Sequence, residues 1–289
     1  MRPFLQAMRP QQWTKNLLVF AVPLAAGELF TPHVLLLTLV AFVSFILASS
    51  ATYLINDARD AESDRSHSTK RLRPVAAGTL SETTALVGGI VLAIAGIALA
   101  SFAGWRLVAV IVAYLAVTAA YSFGLKREPV IELGLLSAGF LLRAVAGGVA
   151  AALPVSPWFL LVAGFGALSV AAGKRYSELV AEPEASQKRR ASLLGYTPTY
   201  LRFVWTSSTA VLITTYCLWV VEVGQTQASI PWAFMSTIPF VLAVLRFGVD
   251  VDAGRAQAPE SAVAHDRVLL VLGLAWLALF AAGALGIGG

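Results

Sequence analysis

The sequence has little of what cysteine- or histidine-based chemistry requires. Its 289 residues include one cysteine, Cys217, which lies within an apolar run. A single cysteine excludes a disulfide framework and a cysteine-based metal centre. The three histidines, His33, His67 and His265, are scattered without the spacing of metal ligands. A zinc-type site built on these side chains is therefore not expected.

Charged residues are also scarce. Asp, Glu, Lys and Arg make up 13% of the chain, whereas hydrophobic residues make up 58%. Soluble domains carry about 25% charged and about 45–50% apolar residues, so this excess suits a bilayer better than a soluble core. We interpret the net charge of +5 as loop charge that orients a membrane protein, and expect no nucleic-acid partner. No cleavable signal peptide is apparent, because the first apolar run lacks a small-residue cleavage site.

Apolar runs of about 20 residues, long enough to span a bilayer, recur along the chain. They predict helices, since a membrane barrel would show alternating strands of about ten residues. We predict an all-α integral membrane protein with one domain over residues 1–289 and long polar loops at about 58–81 and 181–199. The nine predicted spans are about 14–30, 34–57, 82–103, 106–124, 129–151, 157–180, 200–222, 231–249 and 266–286.

Basic residues concentrate in alternate connections between these spans. All 21 Lys and Arg residues except Arg106 and Arg143 lie in the N-terminal segment or in every second connection. Such connections face the cytoplasm by the positive-inside rule. The sequence therefore predicts a multi-pass protein of the bacterial inner membrane, with the N-terminus and the active site cytoplasmic and the C-terminus outside.

An acidic motif follows the second predicted span and reads Asn56-Asp57-x-x-Asp60-x-x-x-Asp64. On a continuing helix the three aspartates share one face, and Asn56 lies one turn before Asp60. Carboxylate and amide oxygens suit Mg²⁺, which commonly bridges protein carboxylates to substrate phosphates. We predict a magnesium site formed by all four residues. The alternative is a solvated helix end of mixed charge, but acidic residues at a membrane exit need a reason.

Basic and phenolic side chains near these membrane exits are candidate ligands for phosphate groups. The alternatives are positive-inside or interfacial anchors and, for Lys174 with Glu178, an ordinary ion pair one turn apart. Arg143 lies inside a predicted helix, where its depth makes a structural partner at least as good an explanation as a substrate. The predicted phosphate ligands are Lys15, Arg65, Lys70, Arg71, Arg73, Lys126, Lys174, Arg175 and Tyr176.

The acidic motif, together with Arg73-Pro74, Gly78, Tyr121-Ser122 and Lys126, resembles the UbiA superfamily of intramembrane prenyltransferases. The resemblance spans nearly the whole chain. It implies a nine-helix bundle with a central cavity open to the cytoplasm, a lateral opening for a polyprenyl chain, and Mg²⁺ as cofactor.

One departure from the superfamily pattern points to a particular branch. Members that use prenyl diphosphates usually carry a second motif of DxxxD type, whereas the matching segment here, 173–178, contains no Asp. With the segments 9–16 and 192–202, it resembles the branch that transfers phosphoribose. That resemblance implies 5-phosphoribosyl diphosphate (PRPP) as donor and decaprenyl phosphate, a polyprenyl phosphate lipid, as acceptor, in the synthesis of arabinan precursors for the cell wall. It also implies catalytic roles for Asp57, Asp60, Lys174 and Tyr176.

Two other functions remain open from the sequence. An aromatic prenyltransferase of the same fold would use a polyprenyl diphosphate donor, and the missing Asp motif is the feature against it. A transporter with a midplane ion site usually shows internal repeats and broken helices, and we find no convincing internal repeat. Whether the chain forms a homo-oligomer is not indicated by the sequence.

The charge distribution generates a topology prediction. A reporter fused after Gly289 should be located outside the cytoplasm, and a reporter inserted near Gln187 should be located in the cytoplasm. The reason is that basic connections are retained in the cytoplasm. Paired periplasmic and cytoplasmic reporters measure both positions in one strain. The reverse pattern at either position would contradict the predicted orientation.

Overall fold

The computed structural model describes residues 2–67, 69–181, 193, 195–224, 231–258 and 265–287. Within these ranges every regular element is helical, as the sequence predicts. The α-helices are α1 (Arg2–Ala7), α2 (Ala21–Ala25), α3 (Pro32–Arg59), α4 (Ala61–Arg65), α5 (Glu82–Ala100), α6 (Trp105–Phe123), α7 (Ile131–Ala150), α8 (Pro157–Ala181), α9 (Pro198–Gly224), α10 (Trp232–Asp252) and α11 (Arg267–Ala284). Short 3₁₀ helices cover Pro10–Phe20, Lys70–Leu72, Ser101–Ala103 and Leu125–Arg127.

Eight described helices, α3 and α5 to α11, are long and apolar enough to cross a membrane. They fit the predicted multi-pass membrane protein. The first predicted span, 14–30, takes a different form: a 3₁₀ helix over Pro10–Phe20 is followed by the short helix α2. The count of nine spans therefore stays a prediction. Most of the predicted 181–199 loop, including Glu182, lies outside the described residues.

Proximity between Cα atoms divides the chain into two compact units. The first consists of Met1–Pro23, Thr31–Ser122 and Leu142–Pro154, and the second of Leu24–Phe30, Phe123–Leu141 and Val155–Gly289. Each unit has its own core. The predicted single domain over 1–289 stays a prediction.

In the first unit α3 packs closely along α5. Two glycines of α5 make this possible: a Cβ atom on Gly89 would lie 2.7 Å from Ile55, and one on Gly96 would lie 3.1 Å from the Ser44 carbonyl oxygen. Small residues let membrane helices approach in this way, where lipid gives no hydrophobic driving force between them. The adjoining core consists of Val19, Ala41, Phe45, Ala48, Ala100, Leu107, Ile111, Tyr114, Ala146 and Ala150.

Arg143 fixes the irregular segment Pro10–Phe20 within the first unit. Its Nε donates to Asn16 Oδ1 at 2.8 Å, and its Nη2 donates to the Tyr114 hydroxyl at 2.7 Å. The guanidinium also lies 4.6 Å from the centre of the Tyr114 ring. Arg143 and Asn16 are both buried, and these hydrogen bonds offset part of the free-energy cost of burying the charge of Arg143. The sequence left the role of Arg143 open, and the structure places it against two structural partners, Asn16 and Tyr114.

The second unit is held by the pairing of α8 with α9 and by aromatic packing. Tyr216 stacks on Phe240 with ring centres 3.8 Å apart, and its hydroxyl accepts a hydrogen bond from Trp276 Nε1 at 2.8 Å. These contacts join α9, α10 and α11 through rings whose polar atoms are satisfied. The core near the polar ends of α8 and α9 consists of Leu133, Ala171, Tyr176, Leu179, Tyr196, Leu201, Val251 and Ala256.

Asp266 caps the N-terminus of α11. Its Oδ1 accepts hydrogen bonds from the backbone N–H groups of Val268 and Leu269, at 2.9 and 3.2 Å. Arg246 Nε donates to the other carboxylate oxygen at 2.6 Å. The Arg246 hydrogen bond, followed by the backbone bond from Leu269, lowers the pKa of Asp266 below its usual range. The cap is therefore charged at neutral pH and fixes where the last helix begins.

The close contact between the Val19 backbone and Gly147 on α7 generates a stability prediction. A Cβ atom on Gly147 would lie 2.0 Å from the Val19 carbonyl oxygen, so Gly147→Ala forces the two segments apart. We expect a loss of about 2 kcal/mol in stability, the usual cost of overpacking. Thermal denaturation in detergent measures it, with Gly134→Ala as control because a Cβ there meets nothing within 4 Å. Equal melting temperatures for the two variants would contradict this packing.

Candidate active site

The acidic motif spans a break between two helices. α3 ends at Arg59, Asp60 takes φ −91° and ψ 7°, and α4 begins at Ala61. The helix expected to continue through Asp64 is therefore interrupted at Asp60. The physical reason for the break is a pair of contacts: Asp57 and Asp64 both form ion pairs with the guanidinium of Arg73.

Two arginines neutralise the buried carboxylates. Arg9 Nη2 donates to Asp57 Oδ1 at 2.6 Å, and Arg73 Nη1 donates to the same oxygen at 3.2 Å. Arg73 Nη1 also donates to Asp64 Oδ2 at 2.6 Å, and Lys70 Nζ lies 3.7 Å from Asp64 Oδ1. The carboxylates are almost fully buried, whereas both guanidinium side chains are 29% exposed. The arginines therefore face water while compensating charges that do not.

Arg9 was missed among the predicted site residues. Its backbone is left-handed, with φ 56° and ψ 66°, which is uncommon for a residue with a side chain. Its guanidinium lies 4.7 Å from the centre of the Tyr53 ring and completes the contact with Asp57. The only signal in the sequence was its place at the head of the segment 9–16. Strained backbone of this kind persists where surrounding contacts hold it, and here those contacts belong to the candidate site.

The structure separates the four predicted metal ligands into two pairs. Asp57 and Asp64 are buried in the arginine network, whereas Asn56 and Asp60 are half-buried and one turn apart. The Oδ2 atom of Asp57 is buried and accepts no hydrogen bond from the part of the chain that is described. Over the same residues no group of three or more His, Cys, Asp or Glu side chains is arranged to hold a metal ion.

These oxygens still fit Mg²⁺ by chemistry. The buried, unpaired Asp57 Oδ2 lies in the same motif as the amide of Asn56 and the carboxylate of Asp60. Mg²⁺ is usually bound by one or two carboxylates and completes its shell with water and substrate phosphate oxygens. A site with few protein ligands is therefore suited to an ion that arrives with a phosphorylated substrate.

The remaining predicted phosphate ligands of the first unit differ in their surroundings. Arg65 forms an exposed ion pair with Glu82 at 2.7 Å, and Arg71 is exposed. Lys15 is half-buried in the 3₁₀ helix Pro10–Phe20. Of the predicted set, the structure brings Lys70 and Arg73 together with the acidic motif. Lys126 belongs to the second unit, where it is half-buried in the turn Leu125–Arg127.

In the second unit Arg175 is fully engaged with carboxylates. Its Nε and Nη2 each donate to one oxygen of Glu132 at 2.9 Å, and its Nη1 donates to Glu178 at 2.7 Å. All three side chains are buried. Such a bidentate pair fixes the end of α8 against the start of α7. The sequence could not reveal it, because Glu132 lies 43 residues before Arg175. A phosphate-binding role for Arg175 stays a prediction.

Tyr176 joins a second, more accessible cluster. Its hydroxyl accepts a very short hydrogen bond from Arg202 Nη2 and lies 3.4 Å from Asp252 Oδ1. Arg202 also pairs with Asp252 at 3.1 Å. Lys174, the neighbouring candidate, is half-buried. The motif 173–178 therefore directs Arg175 into the unit, while Tyr176 meets an exposed ion pair.

Tyr196 explains part of the motif at 192–202, of which Ser192 and Leu194 lie outside the described residues. Its hydroxyl accepts the backbone N–H of Val130 at 2.6 Å, where Val130 has a positive φ of 68°. A Cβ atom on Gly195 would lie 2.2 Å from Pro129, so only glycine allows this approach. Burial raises the pKa of Tyr196 to about 12, and the phenol stays protonated at neutral pH. The motif thus holds the turn that precedes α7.

Comparison with known families places most of the chain in one family. Residues 17–271 match the UbiA prenyltransferase family. The chain belongs to that family. The resemblance predicted from the sequence is thus confirmed, and the family match covers the acidic motif, Lys70, Arg73 and the segment 173–178.

Among UbiA proteins, the chain is similar to enzymes that carry a specific name. It is 47% identical to the decaprenyl-phosphate phosphoribosyltransferase of Corynebacterium glutamicum, over 94% of this chain and 84% of that protein. It is 48% identical to the enzyme of the same name from Mycobacterium tuberculosis, over 95% of this chain and 91% of that protein. The branch predicted from the sequence is thereby confirmed as the similar one.

Solved structures support the fold. A UbiA homolog from Archaeoglobus fulgidus, bound to GPP and Mg²⁺, superposes with a TM-score of 0.70 at 17% identity, covering 99% of this chain and all of that one. A structure described as digeranylgeranylglyceryl phosphate synthase gives a TM-score of 0.70 at 16% identity, covering 98% of each chain. At this identity the likeness shows the all-helical UbiA fold, which is the predicted fold class.

The arginine network generates a stability prediction. Arg73→Met removes the group shared by Asp57 and Asp64 and leaves two buried carboxylates short of positive charge. We expect a loss of about 2–3 kcal/mol, somewhat less than for a fully buried pair because Arg73 reaches water. Thermal denaturation measures the effect, and adding Asp64→Asn to the variant should restore part of it.

The matched control is Arg65→Met, which breaks an exposed ion pair worth at most about 1 kcal/mol. If Arg73→Met were as stable as this control, the buried carboxylates would not depend on Arg73.

Proposed function

We propose that the chain transfers 5-phosphoribose from PRPP to decaprenyl phosphate, giving decaprenylphosphoryl-5-phosphoribose and diphosphate. The observation that carries the proposal is the identity of 47–48% to two enzymes named decaprenyl-phosphate phosphoribosyltransferase over nearly the whole chain. PRPP as the phosphoribosyl donor and cell-wall arabinan as the destination are inferred from the chemistry of that reaction and from the family resemblance.

The reaction makes modest demands on proton transfer. The phosphate of the acceptor lipid is already an anion, so its oxygen can attack C1 of the ribose without a general base. A bond forms between that oxygen and C1, while the bond from C1 to diphosphate breaks and the diphosphate departs with the electron pair. Direct displacement predicts inversion at C1. The main task of the protein is therefore to place charges around phosphate groups.

The acidic motif and its basic neighbours suit the diphosphate end of the donor. We assign Asn56 and Asp60 as metal ligands, with Asp57 and Asp64 as further oxygens close by. When bound, Mg²⁺ supplies neutralisation of the charge that develops on the leaving diphosphate. Arg9, Arg73 and Lys70 supply three cations against the two buried carboxylates, which leaves a positive surplus for substrate phosphates.

We assign the segment 173–178 to the remaining phosphates, which are the 5-phosphate of PRPP and the phosphate of the acceptor lipid. Lys174 and Tyr176 are proposed to contact phosphate oxygens, and Arg175 to hold α8 in place through its pair with Glu132. Lys15, Arg65, Arg71 and Lys126 remain candidates for phosphate contacts that only substrate kinetics can test. Compared with the residues predicted from the sequence, the proposal adds Arg9 and gives Arg175 a positioning role.

The donor also bears on where the site lies. PRPP is small, water-soluble and heavily anionic, so it has to reach the site from the cytoplasm. The concentration of Lys and Arg in alternate connections supports a cytoplasmic N-terminus in the inner membrane, with the C-terminus outside. The acidic motif lies at the C-terminal end of α3, where a connection rich in basic residues begins.

A prenyl diphosphate donor with an aromatic acceptor is the alternative within the family. Such an enzyme would be expected to carry a second acidic motif with a second metal site. Residues 173–178 contain one carboxylate, Glu178, and it is paired with Arg175 at 2.7 Å. That pairing leaves the segment poorly suited to a second Mg²⁺, which favours the phosphoribosyl donor.

The metal assignment predicts the behaviour of one variant. Asp60→Ala removes a half-buried carboxylate without touching the arginine network, so the protein should fold normally and lose activity by about 100-fold or more. Turnover and thermal stability are measured together. Glu62→Ala, an exposed acidic neighbour in α4, is the control and should stay active. Normal turnover of Asp60→Ala, or of the wild type in excess EDTA, would exclude this metal site.

The donor assignment predicts the substrate of the purified protein. Label should pass from PRPP to decaprenyl phosphate with release of diphosphate, because segment 173–178 offers the cation of Lys174 in place of a second metal. Lys174→Ala should reduce kcat/KM for PRPP by about tenfold, the effect of removing one charged hydrogen bond to phosphate, and change the KM for lipid much less. A parallel assay offers a prenyl diphosphate with 4-hydroxybenzoate. Transfer of the prenyl group to 4-hydroxybenzoate, with no transfer from PRPP, would contradict the proposed reaction and leave the fold assignment unchanged.

A further inference from the structure

A groove of about 640 Å³ runs between α9 and α10 in the second unit. The proposed function uses none of the residues that line it. Its size falls within the range of about 300–1,000 Å³ typical of small-molecule sites. Its lining residues are Trp205, Thr206, Thr209, Ala210, Ile213, Val244, Leu245, Gly248, Val249, Asp252 and Ala253.

The walls of the groove are suited to hydrocarbon. The two threonines donate their hydroxyls to backbone carbonyls of their own helix, at 2.8 Å for both Thr206 to Arg202 and Thr209 to Trp205. Gly248 lies beside the Trp205 ring, where a Cβ would be in van der Waals contact at 3.4 Å and a larger side chain would occupy the groove. Both α9 and α10 belong to the membrane-spanning set.

The groove opens on the surface of the second unit. Leu245 and Val249, on α10, are 56% and 51% exposed. Apolar side chains exposed on a membrane-spanning helix meet lipid, which has no polar group to satisfy at this depth. A lipid chain is therefore the occupant that matches the walls.

A charged pair stands at the polar end of the groove. Asp252 lines the groove itself, and its Oδ1 lies 3.1 Å from Arg202 Nη2. The side chains of Arg202 and Asp252 are 57% and 62% exposed, so both charges are open to a ligand. A lipid whose chain fills the groove would bring its headgroup to a cation and an anion placed side by side.

We propose that this groove binds a zwitterionic phospholipid with an ethanolamine headgroup. One acyl chain lies between α9 and α10, the phosphate contacts Arg202, and the ammonium contacts Asp252. The charge pattern decides between lipid classes. A polyprenyl phosphate or an anionic phosphatidylglycerol would also contact Arg202, but neither brings a cation of its own for Asp252, so Arg202 alone would have to offset two negative charges. This proposal does not rest on the proposed transfer reaction, although the Tyr176 hydroxyl, which is assigned there to a phosphate, contacts both Arg202 and Asp252.

Native mass spectrometry of the purified protein tests the proposal. The protein is titrated with phosphatidylethanolamine and phosphatidylglycerol of matched acyl chains. We expect phosphatidylethanolamine to be retained at about threefold lower concentration, the scale of one exposed charge interaction. Gly248→Leu fills the groove and should lose this preferred adduct. Gly273→Leu on α11 is the matched control, since a Cβ there meets nothing within 4 Å.

Asp252→Asn provides a second variant that keeps the shape of the groove and removes only its negative charge. The preference for phosphatidylethanolamine should disappear or turn toward phosphatidylglycerol. Three results would overturn the proposal: equal binding of the two lipids to the wild type, an unchanged preference in Gly248→Leu, or displacement of phosphatidylethanolamine from the groove by decaprenyl phosphate. The last result would instead assign the groove to the acceptor.

Discussion

Two carboxylates buried at the end of a membrane helix set the main constraint on the candidate site. Asp57 and Asp64 have almost no contact with water, and an uncompensated buried charge costs several kcal/mol. Arg9 and Arg73 meet that cost, and each comes from a different segment. Their positions therefore tie the 3₁₀ helix after Arg9, the end of α3, the short helix α4 and the turn before α5 into one arrangement.

The same constraint divides the acidic motif by function. Because the buried pair is already matched by cations, the half-buried Asn56 and Asp60 are the residues best placed to give oxygens to an ion that substrate phosphates help to bind. The break at Asp60 serves both purposes, since it brings Asp64 to Arg73 and ends α3 one turn after Asn56. In the site proposed here, structural stability and metal binding thus rest mainly on different members of one short sequence.

The sequence predicted those features that depend on local pattern. Long apolar runs predicted the spans, because a bilayer requires about 20 such residues whatever they contact. Features that depend on distant residues were missed or misjudged. The 3₁₀ segment Pro10–Phe20 is held by the hydrogen bond between Arg143 and Asn16, which are 127 residues apart. The break at Asp60 accompanies the ion pair between Asp64 and Arg73. Sequence spacing also could not reveal that Arg175 pairs with Glu132, 43 residues earlier, and the phosphate contact predicted for Arg175 stays a prediction.

Metal binding with and without donor tests the central claim most directly. Mn²⁺, as a spectroscopic substitute for Mg²⁺, can be titrated into the purified wild type and followed by electron paramagnetic resonance. We expect weak binding to the protein alone, because arginines already compensate Asp57 and Asp64, and binding at least about tenfold tighter when PRPP is present. Tight Mn²⁺ binding without any phosphate ligand, or an enhancement by geranyl diphosphate and not by PRPP, would contradict it.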